Sequence, residues 1–406
     1  MQVSTPGHRH RSPRIAVIQH GDYASAIALR DSGAGEPYFG MYNSVGVLDE
    51  LLNDHPSLVI SLDAPQYQKT LGRRTLVGLP GPRHYRPMPR CITFLRWAAR
   101  IRWQLVEFEP THILIRCGGL LAWRLLTFAK ARDLNCAVIL AGTLVEPTRT
   151  DWLIVPLLVR RLNDPLVRLI GNHKMPATQS LLDAGVDPSK TVAYDWPGAR
   201  RPQDYQPRHL SLVPGESPTL LYIGNMISAK GVADVIDAIA RLRAGGPPVR
   251  LIAAGDGEEF LHMKARAAQL NLAADCVLFL GRVSNDQAFE LMRRCTFICV
   301  PSRQEFPEGM PLTLTEALAS RTPVILTDHP VFHAAFTEGE GVCFYRAGDP
   351  VSLTTTVKAL LNDPQRYAAI SASSADAFAR VECPTAMGEL FQRWAKTFDN
   401  GERSPA

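Results

Sequence analysis

The 406-residue sequence has no uninterrupted apolar run of the roughly 18–20 residues that a membrane-spanning helix needs. The longest candidates, WLIVPLLV (152–159) and HILIRCGGLLAW (112–123), are short or broken by Arg116, with Arg124 just beyond. The first residues, MQVSTPGHRHRSPR, are polar and basic and lead into no apolar signal core. They read as a disordered tail over 1–13. Cysteine is sparse and scattered: Cys91, Cys117, Cys136, Cys276, Cys295, Cys299, Cys343 and Cys383 form no CxxC pair and no zinc-type quartet. Reduced thiols in a cytoplasmic protein are the expectation. Cys295 and Cys299 are spaced for one face of a strand, where cysteine packs as a small hydrophobe.

One stretch lacks acids altogether. From Lys69 to Trp103 there are nine Lys/Arg and no Asp or Glu. Arginines there interleave with Tyr85, Phe94, Trp97 and Trp103, and WAARIRWQLV has helical period. An anionic membrane surface or anionic acceptor fits this pattern, and so does an ordinary solvated basic face. Nucleic acid is disfavoured, because no helix-turn-helix, zinc or single-strand signature accompanies it. The bias extends to the halves: 24 Lys+Arg against 16 Asp+Glu in 1–200, and 20 against 23 in 201–406, for a net charge of +5.

What is present is a repeated alternation. Short β-branched runs, RIAVIQ (14–19), SLVISL (57–62), THILIR (111–116) and CAVILA (136–141), alternate with helical stretches such as 93–109 and 120–134. That order implies a parallel sheet covered on both faces. The Pro- and Gly-rich stretch 196–218 has neither period and reads as a linker. The alternation then restarts with TLLYIG (219–224), VRLIAAG (249–255), VLFLG (277–281), FICVPS (297–302) and PVILTD (323–328). The predicted architecture is α/β: two doubly wound Rossmann-like domains facing a central cleft. The expected bounds are 14–200 for the first domain, 201–218 for the linker, 219–383 for the second domain, and 384–406 for a closing helix and tail.

Three loops after second-domain strands carry candidate chemistry. In EFPEGMPLTLTEALASRTPVI (305–325), Glu308 precedes a helix that Pro311 opens and Ser320–Pro323 ends. Glu316 lies inside it. The N–H groups of a helix amino end suit a phosphate, and a carboxylate at Glu316 can accept two ribose hydroxyl bonds. In IGNMISAKGV (223–232), Gly224 permits close backbone approach and Lys230 is a point charge suited to a diphosphate. In LIAAGDGEEF (251–260), Asp256 and Glu258 read as turn chemistry rather than a metal site.

Together these motifs, with VLFLGRVSNDQAFELMRRCTFICVPS between them, resemble the carboxyl-terminal domain of family 4 glycosyltransferases, which have the GT-B fold. Four motifs in register over about 110 residues carry the likeness. In the first half only QSLLDAGVDPSKTVAYDWPG (179–198) adds to it, and AMGELFQRWAKTF (386–398) fits the GT-B habit of crossing back. The resemblance implies retaining transfer from a nucleotide-diphosphate sugar without a cofactor or metal. Glu316 would hold the ribose, Glu308 would face the donor sugar, and Lys230 would neutralise the departing diphosphate. Gly224, Asn225, Gly309, Met310, Pro311, Leu312 and Thr313 would complete the donor site. The acceptor, a glycan or lipid-linked precursor at the inner face of the cytoplasmic membrane, would meet His20, Gly21 and Arg116. Two departures stand out. Asn225 occupies the place of the family's usual arginine, with Arg200, Arg201 and Arg282 as substitutes. Ala141, Gly142 and Thr143 stand where many members carry histidine. The alternative is an inactive nucleotide-sugar-binding scaffold.

Overall fold

The computed structural model describes residues 12–398 except 34–35, 37–39, 83–89, 145–148, 197–199, 213–214, 246–247 and 307. The expected tail over 1–13 falls almost wholly outside the described residues.

Among the described residues two sheets form. The strands of the first are β1 (Ile15–His20), β2 (Ser57–Leu62), β3 (Tyr67–Leu71), β4 (Arg74–Leu79), β5 (His112–Arg116), β6 (Asn135–Leu140), β7 (Val167–His173) and β8 (Thr191–Tyr194). Their spatial order is β3-β4-β2-β1-β5-β6-β7-β8, parallel except for the β3–β4 hairpin. The second sheet contains β9 (Thr219–Ile223), β10 (Arg250–Ala254), β11 (Val277–Gly281), β12 (Phe297–Val300), β13 (Val324–Thr327) and β14 (Val342–Tyr345), ordered β11-β10-β9-β12-β13-β14 and wholly parallel.

The helices α1 (Tyr23–Asp31), α2 (Met41–Leu52), α3 (Arg90–Phe108), α4 (Gly119–Ala131), α5 (Arg149–Leu162) and α6 (Lys174–Asp183) belong to the first half. The second half has α7 (Val232–Gly245), α8 (Phe260–Gln269), α9 (Asn285–Arg294), α10 (Leu312–Ala319), α11 (Pro330–Ala335), α12 (Pro350–Asn362), α13 (Pro364–Val381) and α14 (Met387–Ala395).

The apolar runs of β1, β2, β5, β6, β12 and β13 are continuous because these inner strands are buried on both faces, whereas the edge strands β3 and β11 carry exposed residues. Ile15, Val17 and Val59 pack toward α1, α2 and α14, while Ala16, Ile18 and Ile60 pack toward α3, α4 and α5. The second sheet repeats this, with Leu220 and Phe297 facing α7 and α12, and Leu221 and Ile298 facing α9, α10 and α13. The final helix, α14, lies on the first domain: Trp394 is fully buried and its Nε1 donates to Asn135 Oδ1 at 2.8 Å.

One sequence expectation fails. Cys295 and Cys299 do not share a strand face: Cys295 caps the end of α9 and Cys299 lies on β12. The reason is that α9 runs to Arg294, so only Phe297–Val300 is extended. The seven described cysteines are free and buried.

Where the chain returns, a buried ion pair fixes the hinge. Lys174 has a fully buried side chain and a left-handed backbone (φ 63°). Its Nζ donates to Asp195 and to the Val381 carbonyl at 3.1 Å. His173 Nε2 lies 3.3 Å from the same carboxylate. Burial opposes ionisation of Asp195, but His173 and Lys174 hold its carboxyl below the usual range.

Candidate active site

Strand order in the second sheet reverses direction between β9 and β12, the crevice where open α/β sheets bind ligands. The loops leaving these two strands carry Lys230 and Glu308. After β9 the chain passes Gly224 and Asn225, makes a 3-10 turn at Ser228–Lys230 and enters α7 through Gly231. Gly231 is left-handed (φ 69°), and a Cβ there would stand 2.1 Å from the Pro301 carbonyl oxygen. Glycine therefore lets this loop press against the end of β12. That approach brings Lys230 Nζ onto Glu308 Oε1, forming an ion pair. Ser302 Oγ donates to the same oxygen at 2.6 Å, and Lys230 lies 4.1 Å from the centroid of the Phe306 ring. Glu308 is only 4% exposed. It is not the solvated loop acid that its neighbours in sequence suggest.

Glu308 also meets the first domain. Thr143 Oγ1 donates to the Glu308 carbonyl at 3.1 Å. A Cβ on Gly309 would come within 2.9 Å of the Ala141 carbonyl oxygen, so the two domains touch at this glycine. The segment Ala141–Thr143 thus lies directly against the Glu308 loop.

Pro311 occupies the cap position just before α10 rather than its first turn, with extended ψ (132°). Met310 is buried, while Pro311, Leu312 and Thr313 are half-buried. The first-turn N–H groups of α10 have no partners within the helix. On the same helix, Glu316 Oε1 accepts Asn285 Nδ2 at 2.7 Å and Arg200 Nη1 at 3.2 Å. Burial pushes Glu316 up to about 7, against the pull of Asn285 and Arg200, and Glu36 adds to the rise. Arg200 donates as well to Asn285 Oδ1 at 2.8 Å, pairs with Asp286, and lies 4.5 Å over the Phe289 ring. Glu36, from the first domain, accepts the Asn285 N–H on its carbonyl at 3.0 Å.

The candidate substitutes for an arginine at Asn225 fall into distinct places. Arg200 serves Glu316, and Arg201 pairs with Glu382 at 2.6 Å. Arg282 approaches Asp256 at 3.6 Å, and Asp256 is the residue whose carbonyl accepts the Met226 N–H beside Asn225. Asp256 itself makes a turn bond to Gly257 N–H at 2.8 Å. Asn225 is exposed.

On the first-domain side, a cavity of about 410 Å³ opens at the carboxyl ends of β1, β5 and β6. His20 and Arg116 line it, together with Thr143, Tyr194 and Trp196. His20 Nδ1 lies 2.9 Å from Asp63 Oδ2, both exposed, and Gly21 follows in the left-handed region (φ 85°). Asn285 and Ser302 were not legible as site residues; only the S-x-x-Q box at Ser284–Gln287, which starts α9, signals that a helix end lies there.

With this geometry in place, comparisons with known proteins add context. The family model for glycosyl transferases group 1 matches residues 208–376. Glycogen synthase of Mycobacterium tuberculosis is 29% identical over 206 residues, 50% of this chain and 44% of that protein. D-inositol 3-phosphate glycosyltransferase of Stackebrandtia nassauensis is 28% identical over 249 residues, 57% of this chain and 52% of that protein. The chain spans about half the length of the curated relatives it matches. Among solved structures, Anabaena HepE in complex with UDP-glucose superposes with a TM-score of 0.61 at 14% identity, covering 95% of this chain and 99% of that one. Sucrose-phosphate synthase from Thermosynechococcus elongatus gives 0.64 at 15% identity, covering 96% and 98%. The fold is GT-B.

Proposed function

We propose that this chain, whose carboxyl-terminal domain matches the group 1 glycosyltransferases, moves a sugar from a nucleotide-diphosphate donor to an acceptor held by the first domain. The observation that carries the reading is the placement of Lys230 and Glu308 at the strand-order reversal, with Glu316 on the helix that follows Glu308. The names of the relatives, a glycogen synthase and a D-inositol 3-phosphate glycosyltransferase, support the class.

In this account Glu316 accepts the ribose hydroxyls. The diphosphate lies between Lys230 and the amino end of α10, and Lys230 turns from Glu308 to the phosphates as negative charge develops on the leaving group. Glu308, freed of part of its pairing, stabilises positive charge at the anomeric carbon. The bond from the anomeric carbon to the diphosphate oxygen breaks, the acceptor hydroxyl bonds to that carbon on the same face and passes its proton to the departing phosphate, so the anomeric configuration is retained. Neither metal nor cofactor takes part.

The outer face of α3 supports a membrane-side acceptor. Ile92, Leu95, Trp103 and Val106 are exposed along it, with Arg102 exposed among them. Residues 83–89 of the basic stretch lie outside the described residues, while Arg74 within it is buried and paired with Asp49. No helix among the described residues is long and apolar enough to cross a membrane.

The test is incubation with UDP-, GDP- and ADP-hexoses, followed by NMR of the released or transferred sugar. Release with the donor's anomeric configuration supports the reading. Donor binding with no turnover on any acceptor extract would instead favour an inactive scaffold, the reading that Asn225 motivates.

A further inference from the structure

The last residue of β13 and the two that follow it hold alternate residues of the loop leading to Glu308. Thr327 Oγ1 donates to the Ser302 carbonyl at 2.7 Å, Gln304 Nε2 donates to Asp328 Oδ1 at 3.3 Å, and His329 Nε2 lies 3.0 Å from the Phe306 carbonyl. Ser302 in turn holds Glu308 Oε1, and the Phe306 ring lies 4.1 Å from Lys230 Nζ. This seam therefore ends on both members of the Lys230–Glu308 pair. His329 is its most constrained member, at 3% exposed. Its Nδ1 accepts the Val331 N–H at 3.3 Å and so caps α11. A ring nitrogen that accepts carries no proton, so the proton sits on Nε2 and is donated to the Phe306 carbonyl. The same carbonyl accepts the Glu308 N–H at 2.7 Å. One oxygen thus joins the Glu308 backbone to His329, and His329 joins both to α11, which packs against α6 of the first domain.

We infer that His329 is a positioning residue of the donor site: through the Phe306 carbonyl it fixes the ring that faces Lys230 and the backbone of Glu308. Losing that bond frees the Phe306 peptide to turn, takes the ring from the ammonium and leaves Lys230 poorly placed for the second phosphate. The inference rests on the donor site proposed above and adds a residue that touches neither sugar nor nucleotide.

Two substitutions separate the two bonds of the ring. His329→Asn keeps a good helix cap but is too short to reach the Phe306 carbonyl, whereas His329→Gln still reaches it. Calorimetric titration uses UDP, GDP and ADP with their monophosphates. In the series that binds wild type, His329→Asn should weaken the diphosphate by about tenfold and the monophosphate by less than about twofold, because Lys230 serves the diphosphate and Glu316 the ribose. His329→Gln should recover most of that loss. Phe306→Leu, which keeps the carbonyl and removes the ring, should reproduce the diphosphate-selective loss. A role in capping α11 alone gives the reverse order, with His329→Asn like wild type and His329→Gln impaired, and overturns the inference. So does equal weakening of diphosphate and monophosphate in both His329→Asn and Phe306→Leu. If no nucleotide binds wild type, the donor reading fails separately, and amide exchange still decides the positioning role. His329→Asn should then speed exchange across 302–308 by about tenfold and leave α11 unchanged. Unchanged exchange across 302–308 overturns it.

Discussion

Lys230 Nζ donates to Glu308 Oε1, so the proposed leaving-group cation and the proposed sugar-facing carboxylate hold each other in one buried ion pair. Each is therefore poised by the other. A phosphate that draws Lys230 away leaves Glu308 charged and held by Ser302. The pairing also makes the two single variants unequal to the double one.

Lys230→Met should lower kcat by about 10²-fold or more, the scale of losing one transition-state charge contact. It should also destabilise the chain by about 3–5 kcal/mol, because Glu308 is left buried and unpaired. Lys230→Met/Glu308→Gln should recover much of that stability and none of the activity. Urea denaturation with initial-rate assays checks both. Equal stability of the single and double variants would contradict the ion pair.

The second prediction concerns pH. Glu316 is raised to about 7 from an ordinary 4.5, so the folded chain binds a proton there that the unfolded chain releases. Between these values stability contributed by this group falls as pH rises. A ribose needs the carboxylate, so nucleotide affinity should rise with pH and level off above about 7. Glu316→Gln should flatten that rise. It should be more stable than wild type at pH 8 by about 1–3 kcal/mol, given 1.36 kcal/mol per pKa unit. Calorimetric titration from pH 6 to 8 measures the first effect and urea denaturation the second.

Arg200, at the end of the first-domain span, reaches α9 and α10 and touches Glu316, Asn285, Asp286 and Phe289. Arg200→Met should weaken nucleotide binding by about tenfold, the worth of one partly buried charge-assisted bond. It should also move the pH midpoint of that binding upward, since Glu316 loses a cation. A purely structural role would change stability and leave the midpoint where it is.

On α3, Trp103→Ala with Arg102→Glu should abolish sedimentation with anionic vesicles at low salt. Stability should change by less than about 1 kcal/mol, because both side chains are exposed. Unchanged sedimentation would remove α3 from the membrane account.

Legibility in the sequence followed burial. SLVISL is β2 to the residue, because a strand covered on both faces is an unbroken apolar run; VLFLG is β11, an edge strand that keeps an apolar run although Leu278 and Leu280 are exposed. YQKTL of β3 was not legible, since an edge strand with one buried neighbour carries no such run. β14 was not legible either, although it is as long as β12 and β13. The Glu308–Glu316 spacing was visible. The partner of Glu316 was not, because Arg200 is 116 positions away. Lys174 gave no signal either: nothing local marks a lysine that only a returning chain and Asp195 can bury.

The most direct test of the donor site is thermal denaturation of wild type and Glu316→Ala against UDP, GDP and ADP. A nucleotide at about 100 times its dissociation constant stabilises by roughly 2.7 kcal/mol. The account predicts such a shift with one nucleotide in wild type and its loss in Glu316→Ala. The same shift in both proteins, or none with any nucleotide, would contradict it.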